Sequence, residues 1–220
     1  MISKNFRIII DMDGVLANLP LAVIEARQKL RPWKTPLTIE DLIDYDLDIP
    51  LQEQGLMKLI FSLPHFFRDI PPIIGAKEFI HSIVNSKYEY EILISTILPS
   101  DNERILHDKL EWLDEHIFVD TNLSEKNVVF SYSKKWLDGN VMIDDYPKNL
   151  KEFDGSLPIL IDWPYNKNFD EKKILATRIN RDDKMWITIE NEIQKQYISW
   201  GIAKGMYIKL GLLESSQAPL

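Results

Sequence analysis

Two aspartates one residue apart, Asp11 and Asp13, follow directly on the apolar run Ile8-Ile9-Ile10, and Gly14 comes next. Carboxylates this close repel unless a bound cation or a shared proton neutralises them. Two later segments end in related chemistry. Residues 90–94 read as a strand that runs out into Ser95 and Thr96, and residues 140–143 as one that runs out into Asp144 and Asp145. Lys134 lies about one helical turn and a loop before that second acidic pair, with Lys135 beside it as a rival. In a parallel sheet all of these project from one edge, as an acidic cluster flanked by a hydroxyl and an ammonium group. Such a set suits Mg²⁺ and a phosphate, because Mg²⁺ prefers oxygen ligands and is satisfied by one or two carboxylates, phosphate oxygens and water. A carboxylate can attack phosphorus, and a lysine and a metal can stabilise the transferring charge. Each fragment alone is ordinary. Asp and Gly are common in turns, serine is common at caps, and a lone lysine is usually solvated. The weight lies in their joint occurrence in register.

The elements that must position them alternate. The run at residues 8–10 suits a strand buried on both faces, as in the middle of a parallel sheet, and Gly14 lets the chain turn tightly after it. Helical periodicity follows from Leu19 to Leu30, ended by Pro32. Residues 38–45 read as a short helix with Thr38 as cap and Asp41 as its partner, and residues 51–61 as another helix closed by Pro64. Beyond Phe66 and Phe67 the chain is extended to Pro71-Pro72. Helices at 76–84, 101–115 (capped by Asp101) and 182–200 and strands at 90–94, 127–130, 140–143 and 157–161 complete the pattern. Strands alternating with helices predict an α/β fold, a Rossmann-like, doubly wound and mainly parallel sheet.

About fifty-five residues separate the first strand from the next α/β unit, whereas a parallel crossover needs only about a dozen residues plus a helix. The excess, residues 18–72, reads as an inserted helical cap over the carboxyl end of the sheet. Residues 1–17 and 73–200 then form the core and residues 201–220 a tail. Trp112 and Trp136 read as core, and His65, His81, His107 and His116 show no metal-ligand spacing.

Composition narrows the function. A formal net charge of −8 argues against nucleic-acid polymers, which require a basic face. The chain has no cysteine, which excludes disulfides, thiolate catalysis and cysteine-ligated metal centres. The first strand begins almost at the amino terminus with no signal-peptide pattern, and no apolar stretch would span a bilayer. The expectation is a cytoplasmic protein with a small-molecule partner and no membrane.

With these residues in view, the chain resembles the haloacid dehalogenase superfamily of phosphotransferases. Asp11-Met12-Asp13-Gly14-Val15 matches its first motif, Ile92-Leu93-Ile94-Ser95 the second, Lys134 the third and Ile143-Asp144-Asp145 the fourth. Within it, the chain is most similar to the 5'(3')-deoxyribonucleotidases, through residues 11–17, the passage from Phe66-Phe67 to Gly75-Ala76, Leu93-Ile94-Ser95-Thr96 and Asp162-Trp163-Pro164-Tyr165-Asn166. It departs from them in Ser95, where threonine is usual, in Tyr132, where some members have arginine, and in Leu19 and Tyr45, which do not reproduce the cap aromatics of some members. These departures bear on the substrate.

The resemblance implies a Mg²⁺-dependent phosphatase acting on a small phosphomonoester, a nucleoside monophosphate first of all. The alternatives are another phosphoester, such as a sugar phosphate, and a non-catalytic binding module. Asp11 would attack phosphorus. Asp13 would protonate the leaving alcohol and later activate water. Asp11, the Asp13 carbonyl and Asp144 would hold the metal, with Asp145 binding a metal-bound water or orienting Lys134. Ser95, Thr96 and Lys134 would hold the phosphate, and Tyr45, Phe61 and Phe66 are candidates for contact with the leaving group. A homodimer is compatible with the resemblance.

Overall fold

The computed structural model describes residues 5–99, 103–170 and 175–209. Its centre is a six-stranded parallel sheet formed by β1 (Phe6–Asp11), β2 (Tyr90–Thr96), β3 (Val128–Phe130), β4 (Val141–Asp144), β5 (Leu157–Ile161) and β6 (Thr177–Ile179), in the order β3-β2-β1-β4-β5-β6. The order reverses at β1, which leaves a crevice beyond its carboxyl end, where ligands bind in folds of this kind. Within β1 the run Ile8 to Ile10 is apolar because both faces of the strand are covered there. Ile8 and Ile10 enter the larger core with Phe6, while Ile9 packs with Met142, Leu150 and Leu160 on the other face.

Register delivers the polar strand ends to one place. Asp11 pairs with Ser95 across β1 and β2, and Ile10 pairs with Ile143 across β1 and β4, so Asp144 continues beside Asp11. The helices α4 (Ala76–Val84), α5 (Glu103–Leu113) and α7 (Met185–Lys209) supply the larger core, and α6 (Pro147–Glu152) packs on β4 and β5. The expected cap of α5, Asp101, lies outside the described residues. No helix among the described residues is long and apolar enough to cross a membrane.

Residues 18–72 contribute no strand to the sheet. They hold α1 (Leu19–Leu30), α2 (Asp48–Leu51) and α3 (Leu56–Phe61). Asn18 caps α1 by accepting from the Leu21 N–H at 3.2 Å. The segment leaves and returns side by side. Asn18 N–H donates to Pro71 O at 2.8 Å, Ile73 N–H donates to Leu16 O at 2.7 Å, and Ala17 bridges to Pro72.

Several elements differ from the sequence reading. The helix expected over 38–45 is a single 3-10 turn, Ile39–Asp41, although Asp41 does receive both the Thr38 N–H and hydroxyl. The helix expected over 51–61 is broken into α2 and α3, because Gln52 and Gly55 adopt left-handed backbone conformations. β6 is too short to carry periodicity and was not expected. The helix expected to end at Trp200 continues to Lys209. Trp136, expected in the core, is 79% exposed, and the Lys135 ammonium lies over its ring.

Candidate active site

The sheet's carboxyl edge brings together Asp11, Asp144 and Asp145, one carboxylate oxygen of each lying within 4.8 Å of the other two. All three residues are buried. Lys134, from the turn between β3 and β4, reaches in with its ammonium 2.7 Å from Asp11 Oδ1 and 2.8 Å from Asp144 Oδ2. Lys134 is buried, whereas Lys135 points outward to Trp136, which separates the two candidates left open by spacing.

Each carboxylate is held. Asp11 Oδ1 accepts from the Met12 N–H at 2.8 Å. Asp144 accepts from the Tyr146 N–H at 2.8 Å and from the Asn149 amide at 3.0 and 3.3 Å. Asp145 accepts from the Tyr165 hydroxyl. Tyr165 in turn stacks on Trp163, whose indole N–H donates to Gly14 O at 2.8 Å and whose ring lies under the Arg181 guanidinium. Gly14 has a positive φ, +75°, and a Cβ there would collide with the Asp145 carboxylate. The glycine of the first motif is thus needed for the turn and for the approach of Asp145.

The electrostatics are unbalanced in a way a cation would correct. Burial pushes the Asp11 carboxyl up to about 7, against the pull of the Lys134 ammonium, with Asp144 and Asp13 raising it further. Burial also raises Asp145 well above the usual carboxylate range, and Asp11 and Asp144 add to that. Burial works against the charge on Lys134, yet Asp11 and Asp144 more than offset it and keep the lysine a firm cation. Three buried carboxylates facing one ammonium form an all-oxygen, hard donor set with excess negative charge. That set fits a divalent cation such as Mg²⁺.

Asp13 finds its partners outside this cluster. Its Oδ2 is in contact with the ammonium of Lys109 and accepts from Thr96 Oγ1 at 3.2 Å, while its Oδ1 is buried without a partner. Lys109 also donates to Thr96 Oγ1 at 2.7 Å and Ile97 O at 3.0 Å, beneath the Phe67 ring. Thr96 is therefore engaged with Asp13 and Lys109. Ser95 Oγ is buried and has no hydrogen-bond partner, an orphaned polar atom at the strand end beside Asp11. The sequence reading missed Lys109. Its signal was there: on α5, Ile105, Lys109 and Trp112 fall on one face at steps of four and three, so a lysine stands in an otherwise apolar stripe. Asn149 and Tyr165 were likewise not singled out as site residues.

Above the carboxylates is a cavity of about 320 Å³, lined below by Asp11, Asp13 and Asp145 and on the side of residues 18–72 by apolar groups including Leu19, Met57 and Phe61. Of the aromatic candidates, Phe61 lines it. Tyr45 lines it too, but one face of its ring is stacked on Tyr146 at 3.9 Å. Phe66 is buried against Phe61 and Phe67 and is not part of the lining.

Comparison with known proteins gives a consistent picture. The family model described as "5' nucleotidase, deoxy (Pyrimidine), cytosolic type C protein" matches residues 5–185. The 5'(3')-deoxyribonucleotidase of Bacillus subtilis (strain 168) is 29% identical over 164 residues, which is 73% of this chain and 87% of that protein. The 5'(3')-deoxyribonucleotidase of Clostridium acetobutylicum is 26% identical over 161 residues, 72% of this chain and 83% of that one. Among solved structures, a HAD family hydrolase from Deinococcus radiodurans R1 superposes with a TM-score of 0.57 at 14% identity, covering 88% of this chain and 97% of that one, a likeness of fold.

Proposed function

The chain belongs to the family of deoxy-pyrimidine, cytosolic type C 5' nucleotidases, phosphoric monoester hydrolases, and from that premise we propose that it is a Mg²⁺-dependent phosphatase of nucleoside monophosphates that works through an aspartyl phosphate. The observation that carries this reading is the buried Asp11–Lys134–Asp144–Asp145 cluster, with Asp13 two residues along the same turn, beneath the cavity.

In this reading Asp11, Asp144 and the backbone carbonyl of Asp13 would hold Mg²⁺, with Asp145 beside them as a further oxygen ligand or the holder of a metal-bound water, and the ion would supply charge neutralisation for the incoming phosphate. Lys134 keeps Asp11 oriented and adds positive charge beside the phosphoryl oxygens. The orphaned Ser95 hydroxyl donates to one of those oxygens. An Asp11 oxygen attacks phosphorus and forms an acyl phosphate as the bond from phosphorus to the ester oxygen breaks. A proton from the Asp13 carboxyl passes to the departing alkoxide, which leaves as an alcohol. Asp13, now a carboxylate, takes a proton from water as the water oxygen attacks phosphorus. Inorganic phosphate leaves and Asp11 is regenerated. Lys109 and Thr96 fix Asp13 Oδ2, so that Oδ1 is the oxygen available to exchange the proton. Residues 18–72 act as a cap that receives the nucleoside and limits access of bulk water.

The test is phosphate release from a panel of nucleoside 5'- and 3'-monophosphates and sugar phosphates, with Mg²⁺ and with EDTA, coupled to acid quenching and mass spectrometry of the protein. The expected result is Mg²⁺-dependent release favouring nucleotides, with a phosphoryl adduct on Asp11. Release that is unaffected by EDTA, or a preference for sugar phosphates, would count against this reading.

A further inference from the structure

Asp144 is held differently from the other two carboxylates of the cluster. Its Oδ1 accepts from the Tyr146 N–H at 2.8 Å and from the Asn149 amide at 3.3 Å, and its Oδ2 accepts from the Lys134 ammonium at 2.8 Å and from the same amide at 3.0 Å. Asp11 and Asp145 have such partners at one oxygen each among the described residues, Oδ1 of Asp11 and Oδ2 of Asp145. Asn149 stands in the first turn of α6, half-buried at the edge of the cavity. Helical side chains lean toward the amino terminus of their helix, so the amide reaches back past Tyr146 to the end of β4. The Asn149 N–H donates to Tyr146 O at 3.0 Å, and the Tyr146 ring is stacked on Tyr45, so the donor stands on an anchored turn.

On the reading that this cluster holds a divalent cation, we propose that Asn149 is a positioning residue that sets the metal preference of the site: by bridging both oxygens of Asp144 it holds that carboxylate to ligation through one oxygen, which suits Mg²⁺ and disfavours Ca²⁺. The longest of the contacts on Asp144, 3.3 Å from the amide to Oδ1, is the one a cation displaces most readily. Oδ2 then stays with Asn149 and Lys134, and the carboxylate does not turn to present both oxygens to one ion. Mg²⁺ demands near-octahedral geometry and keeps several waters, so a ligand offering one oxygen serves it. Ca²⁺ takes more oxygens at longer distances and gains from carboxylates that bind through both. The amide is neutral, so it orients Asp144 without cancelling the charge that attracts the cation, as a second lysine there would.

The experiment is calorimetric titration of Mg²⁺ and of Ca²⁺ into the full chain freed of metal, for wild type, Asn149→Ala and Asn149→Ser, with the melting temperature of each metal-free protein. The wild type is expected to bind Mg²⁺ more tightly than Ca²⁺, an outcome that needs no variant. Removing a group that orients a metal ligand costs about 10–100-fold in metal affinity, so Asn149→Ala should lose about tenfold or more for Mg²⁺. Ca²⁺ gains the freed second oxygen and should lose much less, so the ratio of the two affinities should fall several-fold. Asn149→Ser, whose hydroxyl has a single hydrogen to donate, should lie between. Wild type that binds Ca²⁺ as tightly as Mg²⁺ overturns the proposal. So does an unchanged ratio in Asn149→Ala, which is what a merely structural role would give, together with a lower metal-free melting temperature. Failure of the wild type to bind either cation overturns instead the metal reading on which the proposal rests.

Discussion

The ammonium of Lys109 is in contact with the carboxylate of Asp13, and that lysine is fully buried. The pairing joins the middle of α5 to the turn after β1 and is completed by Thr96, 2.7 Å from the lysine. It gives Asp13 a fixed direction, distinct from that of Asp11, although the two lie two residues apart.

If this contact positions the proton-transferring group, Lys109→Met should lower kcat by roughly 10²-fold, the lower end of what a positioned acid or base contributes, with a smaller effect on KM. Breaking a buried pair from one side costs about 3–5 kcal/mol, because a charge is left without its counterpart. Asp13→Asn alone is therefore expected to melt at a lower temperature than the Asp13→Asn/Lys109→Met double variant, as read by thermal unfolding. Losses of the two single variants that simply add in the double variant would mean that the pair is not coupled.

Asp11→Asn preserves the shape of the side chain and removes both the attacking oxygen and a metal-binding charge. Turnover should fall by several orders of magnitude, and no phosphoryl adduct should form. A phosphate-release assay showing near-normal turnover would remove Asp11 from the mechanism.

The metal reading predicts effects visible without any substrate. A ligand that binds only the folded state adds about 2.7 kcal/mol of stability at a concentration one hundred times its Kd. Mg²⁺ should accordingly raise the melting temperature of the wild type. Asp144→Asn should need more Mg²⁺ for the same rise and recover part of its activity at high Mg²⁺. Full activity of the wild type in EDTA would contradict the assignment.

Tyr165 tests the support of the cluster. Its hydroxyl donates to Asp145, and its ring rests on Trp163, which in turn holds Gly14. Losing a group that orients a metal ligand typically costs 10–100-fold in metal affinity. Tyr165→Phe keeps the stacking and removes only the hydroxyl, so Mg²⁺ affinity from a thermal-shift titration is expected to fall by about tenfold. Unchanged affinity would show that Asp145 is oriented without it.

What the sequence revealed and what it hid have physical reasons. The strand ends were legible because the run Ile8 to Ile10 is apolar on both faces of β1 and stops abruptly at Asp11, a pattern that burial in a parallel sheet imposes. Asp144 was legible for the same reason at the end of β4. Lys109 was not, because a lysine in an amphipathic helix normally faces solvent; only its place in the stripe between Ile105 and Trp112 marked it. Trp136 misled in the opposite direction. A tryptophan is usually core, but this one sits in the turn that sends Lys134 inward, which leaves its neighbours outside. The break between α2 and α3 was invisible to periodicity; Gly55 marks one side of it by residue type, but the left-handed backbone at Gln52 is a conformation that residue type does not announce.

The remaining prediction concerns Phe61, whose ring both lines the cavity and packs on Phe67 at 5.0 Å and Phe66 at 5.8 Å. The two environments predict different outcomes of Phe61→Ala. Contact with a nucleobase is worth about 1–3 kcal/mol, so its loss should raise KM for nucleotides by roughly ten- to a hundredfold. It should change KM far less for p-nitrophenyl phosphate, whose small ring extends less far into the cavity. A purely structural ring would behave otherwise: truncating a buried phenylalanine costs about 3–5 kcal/mol of stability and damages activity on both substrates alike. Phe66 is the internal control, since it shares the aromatic cluster but does not line the cavity. The expected result is a substrate-dependent rise in KM for Phe61→Ala and a drop in melting temperature without substrate dependence for Phe66→Ala. Parallel behaviour of the two variants would assign Phe61 to the core and leave recognition of the base to other groups on residues 18–72.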